Sequence, residues 1–339
     1  MTRNKINSLL RKITDVNDRF FLKNGFNFAR LEYLQIEPTI RCNLNCIICD
    51  KEMKTRTDKR DINFEEFKII LDQFPLLRQL NFAGYGEPLL NVDIFKMVKH
   101  AKSKDVFTYF ATNAMLLNSN MAEKIIDSGL DCLIFSVDSG VSSTYNKIRI
   151  GARLDVVRTN IKNFIELANN RKSPIQTKIY SVVIFNNIND LKELVNFTRE
   201  VGVKNLVLRA IYDHTGRSQE YSRDALYHPD NVKIAKDCIK EARAHAKKMG
   251  INISAPPLEP DEHYRCRMPY IRPYITVEGF VTPCCLQGLD PRRINFGNVF
   301  EENYKKIHNN KKFRNFRKLL NSKNPPGICR SCPRYKGMA

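Results

Sequence analysis

The sequence predicts an α/β fold in which helices cover a parallel β-sheet. Six strand-like segments alternate with helical segments between residues 31 and 211, and this alternation is typical of a parallel sheet with crossover helices. Apolar residues make up 42% of the 339 residues, which is enough to build a core. The polar and cysteine-containing motifs follow directly after predicted strands, where α/β folds place their chemistry.

The predicted elements follow one another in chain order. Strands are predicted at residues 31–40, 79–83, 106–111, 132–137, 175–184 and 205–211. Helices are predicted at residues 64–74, 92–102, 119–128, 154–169, 190–201 and 232–249. Gly129 and Gly202 directly follow two of these helices, and glycine is a favoured residue just past a helix C-terminus. Residues 212–230 are polar and turn-rich, and we expect them to form a loop over the mouth of the sheet.

The alternation stops beyond Pro256, where a second unit is predicted. Residues 274–277 and 280–283 have the pattern of a small β-hairpin, residues 300–320 that of a basic helix, and the chain ends in a cysteine-rich tail. Residues 1–30 predict a basic amphipathic helix that packs on the main domain. A peripheral membrane contact and a partner-docking helix are the alternatives. The predicted domains are residues 1–30, 31–255 and 256–339.

Composition narrows the class of protein. The formal net charge is +20, from 56 Lys and Arg against 36 Asp and Glu, and it suggests a nucleic-acid or acidic-membrane partner. The sequence contains no run of about 18 apolar residues, so no membrane span is predicted. The N-terminus lacks the apolar core of a secretory signal. The chain contains ten cysteines, which in a cytoplasmic protein favour metal binding or catalysis over disulfides. We therefore expect a cytoplasmic protein with cysteine-based chemistry.

The first cysteine cluster has the pattern C-x3-C-x2-C and follows the first predicted strand. Its members are Cys42, Cys46 and Cys49. Three thiolates on one short loop can converge on an iron–sulfur cluster, which usually takes four, and would leave one iron open to a further ligand. A zinc site would need a fourth ligand nearby and more naturally uses two C-x2-C pairs. Three incidental buried thiols are the remaining alternative.

A second set of cysteines lies in the tail. Cys266, Cys284, Cys329 and Cys332 follow the spacing C-x17-C-x44-C-x2-C, and Cys285 adjoins the second position. Four thiolates brought together by a hairpin and a terminal C-x2-C could bind zinc or a second iron–sulfur cluster, and spacing alone does not separate the two. The two other cysteines, at positions 132 and 238, are predicted to be ordinary core thiols.

The first cysteine loop resembles the signature of the radical S-adenosylmethionine (SAM) superfamily, and the resemblance extends over much of residues 31–255. In that family three cysteines hold a [4Fe-4S] cluster whose open iron chelates the methionine moiety of SAM. The resemblance implies a partial (β/α)6 barrel of the TIM-like kind. One position departs from the family pattern, because Ile48 stands where an aromatic residue commonly precedes the third cysteine.

Segments after the later strands extend the resemblance to the SAM site. The residues implied in SAM binding are Gly84, Tyr85, Gly86, Glu87, Thr112, Asn113, Ser136, Asp138 and Arg149. The first four are similar to the family's glycine-rich segment that binds the SAM amino group. Ser136 and Asp138 would suit the ribose hydroxyls, with strand-end capping as the alternative. Arg149 is the implied partner of the SAM carboxylate.

The tail resembles a truncated SPASM domain, often called a twitch domain, which carries one auxiliary [4Fe-4S] cluster. The family spacing G-x4-C selects Cys284 over Cys285 as a ligand, together with Cys266, Cys329 and Cys332. The resemblance therefore implies two [4Fe-4S] clusters and SAM as cofactors. Full SPASM enzymes bind two auxiliary clusters and need more cysteines, so this chain is similar to the group with one. That group includes the aminocyclitol dehydrogenase of butirosin biosynthesis.

Family resemblance also implies a reaction. A reductant such as flavodoxin or ferredoxin supplies an electron, SAM is cleaved to a 5′-deoxyadenosyl radical, and this radical removes a hydrogen atom from the substrate. The auxiliary cluster then accepts an electron, which completes oxidation of a small polar metabolite such as a sugar or aminocyclitol alcohol. The residues predicted to orient the substrate or accept its proton are Arg209, Tyr212, Asp213 and His214, with exposed loop residues as the alternative.

Two other functions compete with this interpretation. A peptide-modifying maturase is the first, although only about 30 residues precede the first strand, where many such enzymes carry an N-terminal peptide-recognition domain of about 80 residues. A nucleic-acid-binding protein is the second, because residues 305–336 contain eleven Lys or Arg and no Asp or Glu, with aromatic residues between them. A solvated basic face is the simplest explanation of that run.

Overall fold

The computed structural model describes residues 25–27, 31–49, 60–211, 224–261, 264–286, 290–330 and 332–338. The strands of this part are β1 (Tyr33–Ile36), β2 (Gln79–Phe82), β3 (Phe107–Thr112), β4 (Cys132–Ser136), β5 (Gln176–Val183), β6 (Asn205–Ala210), β7 (Asn252–Ser254), β8 (Tyr274–Ile275) and β9 (Val281–Thr282). They form one sheet in the order β7-β6-β5-β4-β3-β2-β1-β8-β9. Strands β1 to β7 pair in parallel, each with its neighbour in sequence.

Helices connect the parallel strands and follow the sheet. The helices of the described part are α1 (Phe64–Asp72), α2 (Ile94–Lys102), α3 (Ser119–Asp127), α4 (Ser142–Ile148), α5 (Leu154–Asn170), α6 (Leu191–Glu200), α7 (Pro229–Met249), α8 (Met268–Ile271), α9 (Tyr304–His308), α10 (Lys311–Leu320) and α11 (Gly327–Arg330). Asn63, Asn118 and Asn310 begin three of them as N-caps, and each side chain accepts a hydrogen bond from the third backbone N–H of its helix. None of the described helices is long and apolar enough to span a membrane.

The core lies between the outer face of the sheet and the helices. Phe82 on β2 packs against Phe67 on α1, with ring centroids 5.6 Å apart, and Phe135 on β4 packs against Phe164 on α5 at 5.8 Å. Strand β4 has four consecutive buried residues, as expected for a central parallel strand covered on both faces. The predicted α/β fold with a partial barrel is therefore confirmed.

The hairpin of the second unit continues the sheet of the first. Strand β8 pairs in parallel with β1, with Gln35 opposite Tyr274, and in antiparallel with β9. The turn places Gly279 at φ +89°, and a Cβ there would lie 2.6 Å from the Asn298 side-chain oxygen. Only glycine suits both the positive φ and the close approach. The pairing fixes the cysteine-rich tail beside the open side of the barrel.

Several element boundaries differ from the sequence-based expectation. The sheet has a seventh parallel strand, β7, which the prediction of six strands missed because only three residues pair with β6. The basic segment 300–320 forms two helices, since Asn303 and Asn310 each cap a new helix start. The predicted helix over residues 1–30 lies outside the described residues, apart from residues 25–27.

Candidate functional site

The loop after β1 carries the three predicted cysteine ligands. Cys42 is exposed, Cys46 is buried and Cys49 is half-buried. A hydrogen bond between the Cys49 thiol and the Cys46 side chain, together with burial, raises the pKa of Cys49 well above its usual range, and the charges of Cys46 and Cys42 add to the effect. Among the described residues, no group of three or more His, Cys, Asp or Glu side chains is arranged to hold a metal ion, so the assignment of these three cysteines as ligands stays a prediction. Three soft sulfur donors on one loop fit an iron–sulfur cluster with an open iron.

Backbone hydrogen bonds hold the cysteine loop against the segment after α4. The Asn45 N–H donates to the Ile150 carbonyl at 2.8 Å, and the Ile47 N–H donates to the Ile148 carbonyl at 2.9 Å. Gly151 follows at φ +95°, a left-handed conformation that favours glycine. Arg149 therefore lies between two residues, Ile148 and Ile150, whose carbonyl groups accept hydrogen bonds from the cysteine loop.

Arg41 anchors the start of the cysteine loop. Its Nε donates to the Asp61 carboxylate at 2.9 Å, its terminal nitrogen also pairs with Asp61, and that nitrogen donates to the Leu90 carbonyl at 2.7 Å. This fork-like contact is the arrangement for which the guanidinium group is suited. The loops after β1 and β2 are thereby tied together.

The predicted glycine-rich segment packs closely on the cysteine loop. A Cβ on Gly86 would lie 2.2 Å from the Thr39 carbonyl oxygen, so the segment approaches only because it has no side chain there. The neighbouring Glu87 N–H then donates to the Arg41 carbonyl at 2.8 Å. A Cβ on Gly84 would meet the Glu37 side chain at 2.4 Å, and the Tyr85 N–H donates to a Glu37 carboxylate oxygen at 3.2 Å.

The Glu87 carboxylate links the second and third strand ends. Glu87 is 3% exposed and accepts hydrogen bonds from the Asn113 N–H at 2.8 Å and the Leu89 N–H at 3.3 Å. Burial raises the pKa of this carboxyl, although the hydrogen bonds oppose that effect. The Asn113 side chain in turn donates to the Asn43 side chain in the cysteine loop at 2.8 Å. Thr112 is also buried, so these residues assemble the loops around the predicted SAM site.

Arg149 and Asp138 form a buried ion pair beside the cysteines. Arg149 Nε lies 2.7 Å from a carboxylate oxygen of Asp138, and the other Asp138 oxygen accepts from the Val182 N–H at 2.8 Å. The Asp138 side chain is fully buried, and its contact with the SAM ribose stays a prediction. Asp138 orients Arg149, whose charge acts on the thiols of Cys42 and Cys49. Ser136, the last residue of β4, is half-buried and stays a predicted ribose contact.

A cavity of about 530 Å³ lies inside the partial barrel. Its lining residues are Tyr33, Gln35, Ile48, Asn81, Tyr109, Tyr180, Val182, Arg209, Ala210, Ile211, Met268, Arg272, Cys285, Leu286 and Arg334. The predicted residue Arg209 is among them, and its guanidinium carbon lies 4.8 Å from the centre of the Tyr180 ring. The other predicted substrate residues, Tyr212, Asp213 and His214, lie outside the described residues.

The tail cysteines surround a second, smaller cavity. Cys266, Cys284, Cys329 and Cys332 line it together, whereas Cys285 lines the larger cavity. Burial raises the pKa of the Cys266 thiol to about 11 and that of Cys332 to about 12, and the charge of Cys284 contributes to both. Four sulfur donors around one cavity fit an iron–sulfur cluster. The ligand assignment that prefers Cys284 to Cys285 stays a prediction that agrees with this geometry.

Comparison with known proteins identifies the class to which the fold and the cysteine loops belong. Residues 36–198 match the model of the radical SAM superfamily, and residues 266–333 match that of the SPASM iron–sulfur cluster-binding domain. The chain belongs to the radical SAM superfamily and carries a C-terminal SPASM domain. It is an iron–sulfur enzyme that uses SAM, with an additional cluster in the SPASM domain.

The similarity to individual proteins is low, at 19–30% sequence identity. A Pyrococcus furiosus protein named tungsten-containing aldehyde ferredoxin oxidoreductase cofactor-modifying protein is 30% identical over 180 residues, which are 51% of this chain and about half (49%) of that relative. A probable GTP 3′,8-cyclase of Methanocaldococcus jannaschii is 25% identical over 78% of this chain and 88% of its own length. The crystal structure of Streptococcus suis SuiB bound to its precursor peptide SuiA has a TM-score of 0.69 and 19% identity, covering 95% of this chain and 74% of SuiB. That likeness concerns the fold.

Three residues that shape the site were not among the predicted site residues. Glu37 is fully buried after β1 and accepts from the N–H groups of Tyr85 and Val277, so it joins both domains. Arg272 lies over the Tyr33 ring at 4.6 Å and lines the larger cavity. Tyr145 is fully buried, and its hydroxyl has no hydrogen-bond partner in the described part of the chain. Only Glu37 gave a signal in the sequence, because it is a carboxylate near the end of the first predicted strand, just before the cysteine loop.

Proposed function

We propose that the chain oxidises a small, polar, anionic metabolite in the larger cavity, at an alcohol carbon such as that of a sugar or aminocyclitol derivative. One observation carries the proposal. Met268, Leu286 and Arg334 line both the larger cavity and the cavity of the four tail cysteines. A substrate in the larger cavity would therefore be separated from the additional cluster by a single layer of side chains. This short path suits a substrate radical that must give up an electron.

The charge of the cavity supports an anionic substrate. Arg209, Arg272 and Arg334 line it, and its described lining contains no Asp or Glu. No described carboxylate pairs with Arg209 or Arg272; each lies over a tyrosine ring instead. A guanidinium group binds a carboxylate or phosphate with two parallel hydrogen bonds. We propose that Arg209 and Arg272 bind the acidic group and orient the reacting carbon.

Neutral polar groups complete the proposed binding site. The hydroxyls of Tyr33 and Tyr109 lie 3.1 Å apart, and the Asn81 side chain donates to Tyr33 at 3.5 Å. Burial raises the pKa of both tyrosines, so both remain protonated donors at neutral pH. They would bind substrate hydroxyls without removing a proton. Asp213 and His214 remain the predicted proton acceptors.

The three cysteines after β1 would hold the SAM-binding cluster, and Arg149 would bind the SAM carboxylate. When bound, the reduced cluster and SAM supply a 5′-deoxyadenosyl radical that removes a hydrogen atom from an unactivated carbon. Ile48 adjoins Cys49 and lines the larger cavity, which brings the cysteine loop next to the proposed substrate. Flavodoxin or ferredoxin in a reducing cytoplasm is the proposed electron source.

The experiment uses anaerobically reconstituted protein with SAM and a reductant. The substrates are sugars or aminocyclitols, each acidic one (phosphorylated or carboxylated) matched with its neutral counterpart. The acidic members are expected to yield 5′-deoxyadenosine together with a product lacking two hydrogens. Deuterium at the reacting carbon should appear in the 5′-deoxyadenosine. Arg209→Gln and Arg272→Gln should each lower kcat/KM for the acidic substrate by about 10- to 100-fold, the loss of one charge-assisted contact.

Arg243→Gln is the matched control, because Arg243 is exposed on α7 and does not line this cavity. It is expected to leave kcat/KM unchanged. Equal turnover of neutral and acidic substrates, or equal effects of all three substitutions, would refute the anionic substrate class. Product without loss of two hydrogens would refute the oxidation.

A peptide substrate is the second candidate. The observation that favours it is the shared fold with SuiB, whose crystal structure contains its precursor peptide. A peptide would place one acidic side chain in the arginine-lined cavity and leave the rest outside. The same deuterium assay with acidic peptides separates the candidates, since turnover of peptides alone would favour a maturase.

A further inference from the structure

Helix α10 forms one wall of the tail-cysteine cavity. Phe316 and Leu320 line that cavity. Phe313 is fully buried on the same side of the helix and stacks on Phe296 with ring centroids 3.8 Å apart. These positions repeat every three or four residues, which gives one apolar stripe. On this side of the cavity, α10 therefore lies between the proposed auxiliary cluster and solvent.

The opposite side of α10 and the adjoining α9 form a surface that we call the basic face. The basic face consists of Lys305, Lys306, Lys311, Lys312 and Lys318, all of them exposed. Among the described residues, no carboxylate lies within ion-pairing distance of Lys311, Lys312 or Lys318. The sequence contains no Asp or Glu after Glu302. Lys311, Lys312 and Lys318 thus stand together without a described carboxylate partner.

The placement of two of these lysines costs stability. Lys311 and Lys312 are the first two residues of α10, and the first turn contains no acidic residue. The N-terminus of a helix carries partial positive charge, so cations there are unfavourable and Asp or Glu would be stabilising. The helix dipole gives no reason for lysine at these positions. An acidic partner on this surface would supply one.

We propose that the basic face docks an acidic one-electron carrier protein, which exchanges electrons with the cluster of the tail cysteines. The proposal rests on the proposed function because it needs a cluster in that cavity. A helix is about 10–12 Å across with its side chains, so a docked carrier would stand about one helix diameter from the cavity. Electron tunnelling between protein redox centres is fast over such a spacing.

The electron balance of the proposed oxidation calls for such a carrier. The substrate loses two electrons: one leaves with the abstracted hydrogen atom, and the other needs an acceptor once the proton has gone. Oxidised carrier on the basic face would take this second electron from the cluster. Reduced carrier supplies one electron for each SAM cleavage, so carrier oxidation and reduction balance over one turnover.

Buried aromatic rings argue against nucleic acid as the occupant. Single strands bind through exposed rings on which the bases stack. Phe313 and Phe316, which lie between the lysines in sequence, are 0% and 6% exposed. The Tyr335 hydroxyl donates to the Leu320 carbonyl at 3.2 Å, so that ring is also held against the helix. The basic face offers charge without a stacking surface.

The test measures the affinity of the reconstituted holoenzyme for an acidic flavodoxin at low and high salt. One variant combines Lys311→Glu, Lys312→Glu and Lys318→Glu. The control combines Lys233→Glu, Lys240→Glu and Lys247→Glu, which are exposed positions on α7 with the same change in net charge. Both exchanges keep good helix formers, and two of them place acidic residues in the first turn of α10, so folding is expected.

The basic-face variant is expected to raise the Kd for flavodoxin by at least about 10-fold at low salt, and the control by less than about 3-fold. The rate at which flavodoxin reduces the cluster should fall in parallel, whereas reduction by dithionite should not change. Equal weakening in both variants would overturn the proposal, because net charge would then explain the binding.

A second probe distinguishes an acidic carrier from nucleic acid as the occupant of the basic face. If a single-stranded RNA oligonucleotide lost affinity in the basic-face variant while flavodoxin binding did not change, the proposal would be overturned in favour of nucleic acid. A different result would show that the proposed function alone is wrong. Flavodoxin would then bind and reduce the cluster through the basic face, yet no acidic metabolite would be oxidised.

Discussion

Replacing Asp138 by Asn should destabilise the protein by breaking the buried ion pair with Arg149. The Asp138 side chain is 0% exposed and that of Arg149 is 10% exposed, with 2.7 Å between the paired atoms. The Asn oxygen can still accept from the Val182 N–H, but its amide NH2 would face the guanidinium group, so two donors would oppose each other. The substitution therefore removes the ion pair while it preserves volume.

The expected cost follows from the buried charge that remains. Removing one partner of a buried pair costs about 3–5 kcal/mol, because the other charge is left without compensation. Unfolding entropy is about 2.1 cal/mol/K per residue, so for this chain a loss of about 4 kcal/mol lowers Tm by about 6 °C. Scanning calorimetry or circular dichroism of the apoprotein measures this shift. SAM affinity should fall as well, since Arg149 loses its orientation.

Asp155→Asn is the matched control. Arg153 and Asp155 also form a close pair, at 2.6 Å, but their side chains are 68% and 60% exposed. Water screens such pairs, and we expect no measurable change in Tm. An equal loss of Tm in the two variants, or unchanged Tm and SAM affinity in Asp138→Asn, would contradict a stabilising buried ion pair.

Three further predictions concern other parts of the fold. Burial and a neighbouring guanidinium lower the pKa of His308 to about 3, so the unfolded chain binds a proton below pH 6.5 that the folded chain does not; stability should fall by about 2 kcal/mol more between pH 7 and 5 in the wild type than in His308→Gln, as urea unfolding would show. Gly86→Ala forces a Cβ to within 2.2 Å of the Thr39 carbonyl and should cost about 1–3 kcal/mol and reduce the iron content, whereas Gly327→Ala, with no atom within 4 Å, should change neither. Tyr145→Phe removes a buried hydroxyl without a partner in the described part of the chain and should leave apoprotein stability unchanged or raise it by about 1 kcal/mol in urea unfolding.

Local patterns predicted the units of the fold well. Strand–helix alternation, glycines after helices and the cysteine spacing depend on residues close together in sequence, and the family resemblance joined them into one architecture. Strand β7 was missed because its three residues depend on pairing with β6 more than on their own pattern. Similarly, the break at Asn310 in the basic segment is a capping event that apolar periodicity does not report.

The site was harder to predict because it is assembled from distant segments. Arg272 lies at the cavity because strand β8, which follows it, pairs with β1. The two strands are about 240 residues apart in sequence. Asp138 forms a buried ion pair with Arg149, and this partner was not predicted from the sequence. Pairwise partners of this kind are set by tertiary packing, so motif resemblance alone does not report them.

Iron content of cysteine variants tests the central claim, that two separate cysteine sets hold two clusters. Anaerobically reconstituted wild-type protein should contain about eight irons per chain. Joint replacement of Cys42, Cys46 and Cys49 by Ala should leave about four and abolish 5′-deoxyadenosine formation. Cys284→Ala should also lower the iron content to about four, whereas Cys285→Ala should retain about eight. About four irons in the wild type, or loss of iron in Cys285→Ala but not in Cys284→Ala, would contradict the account.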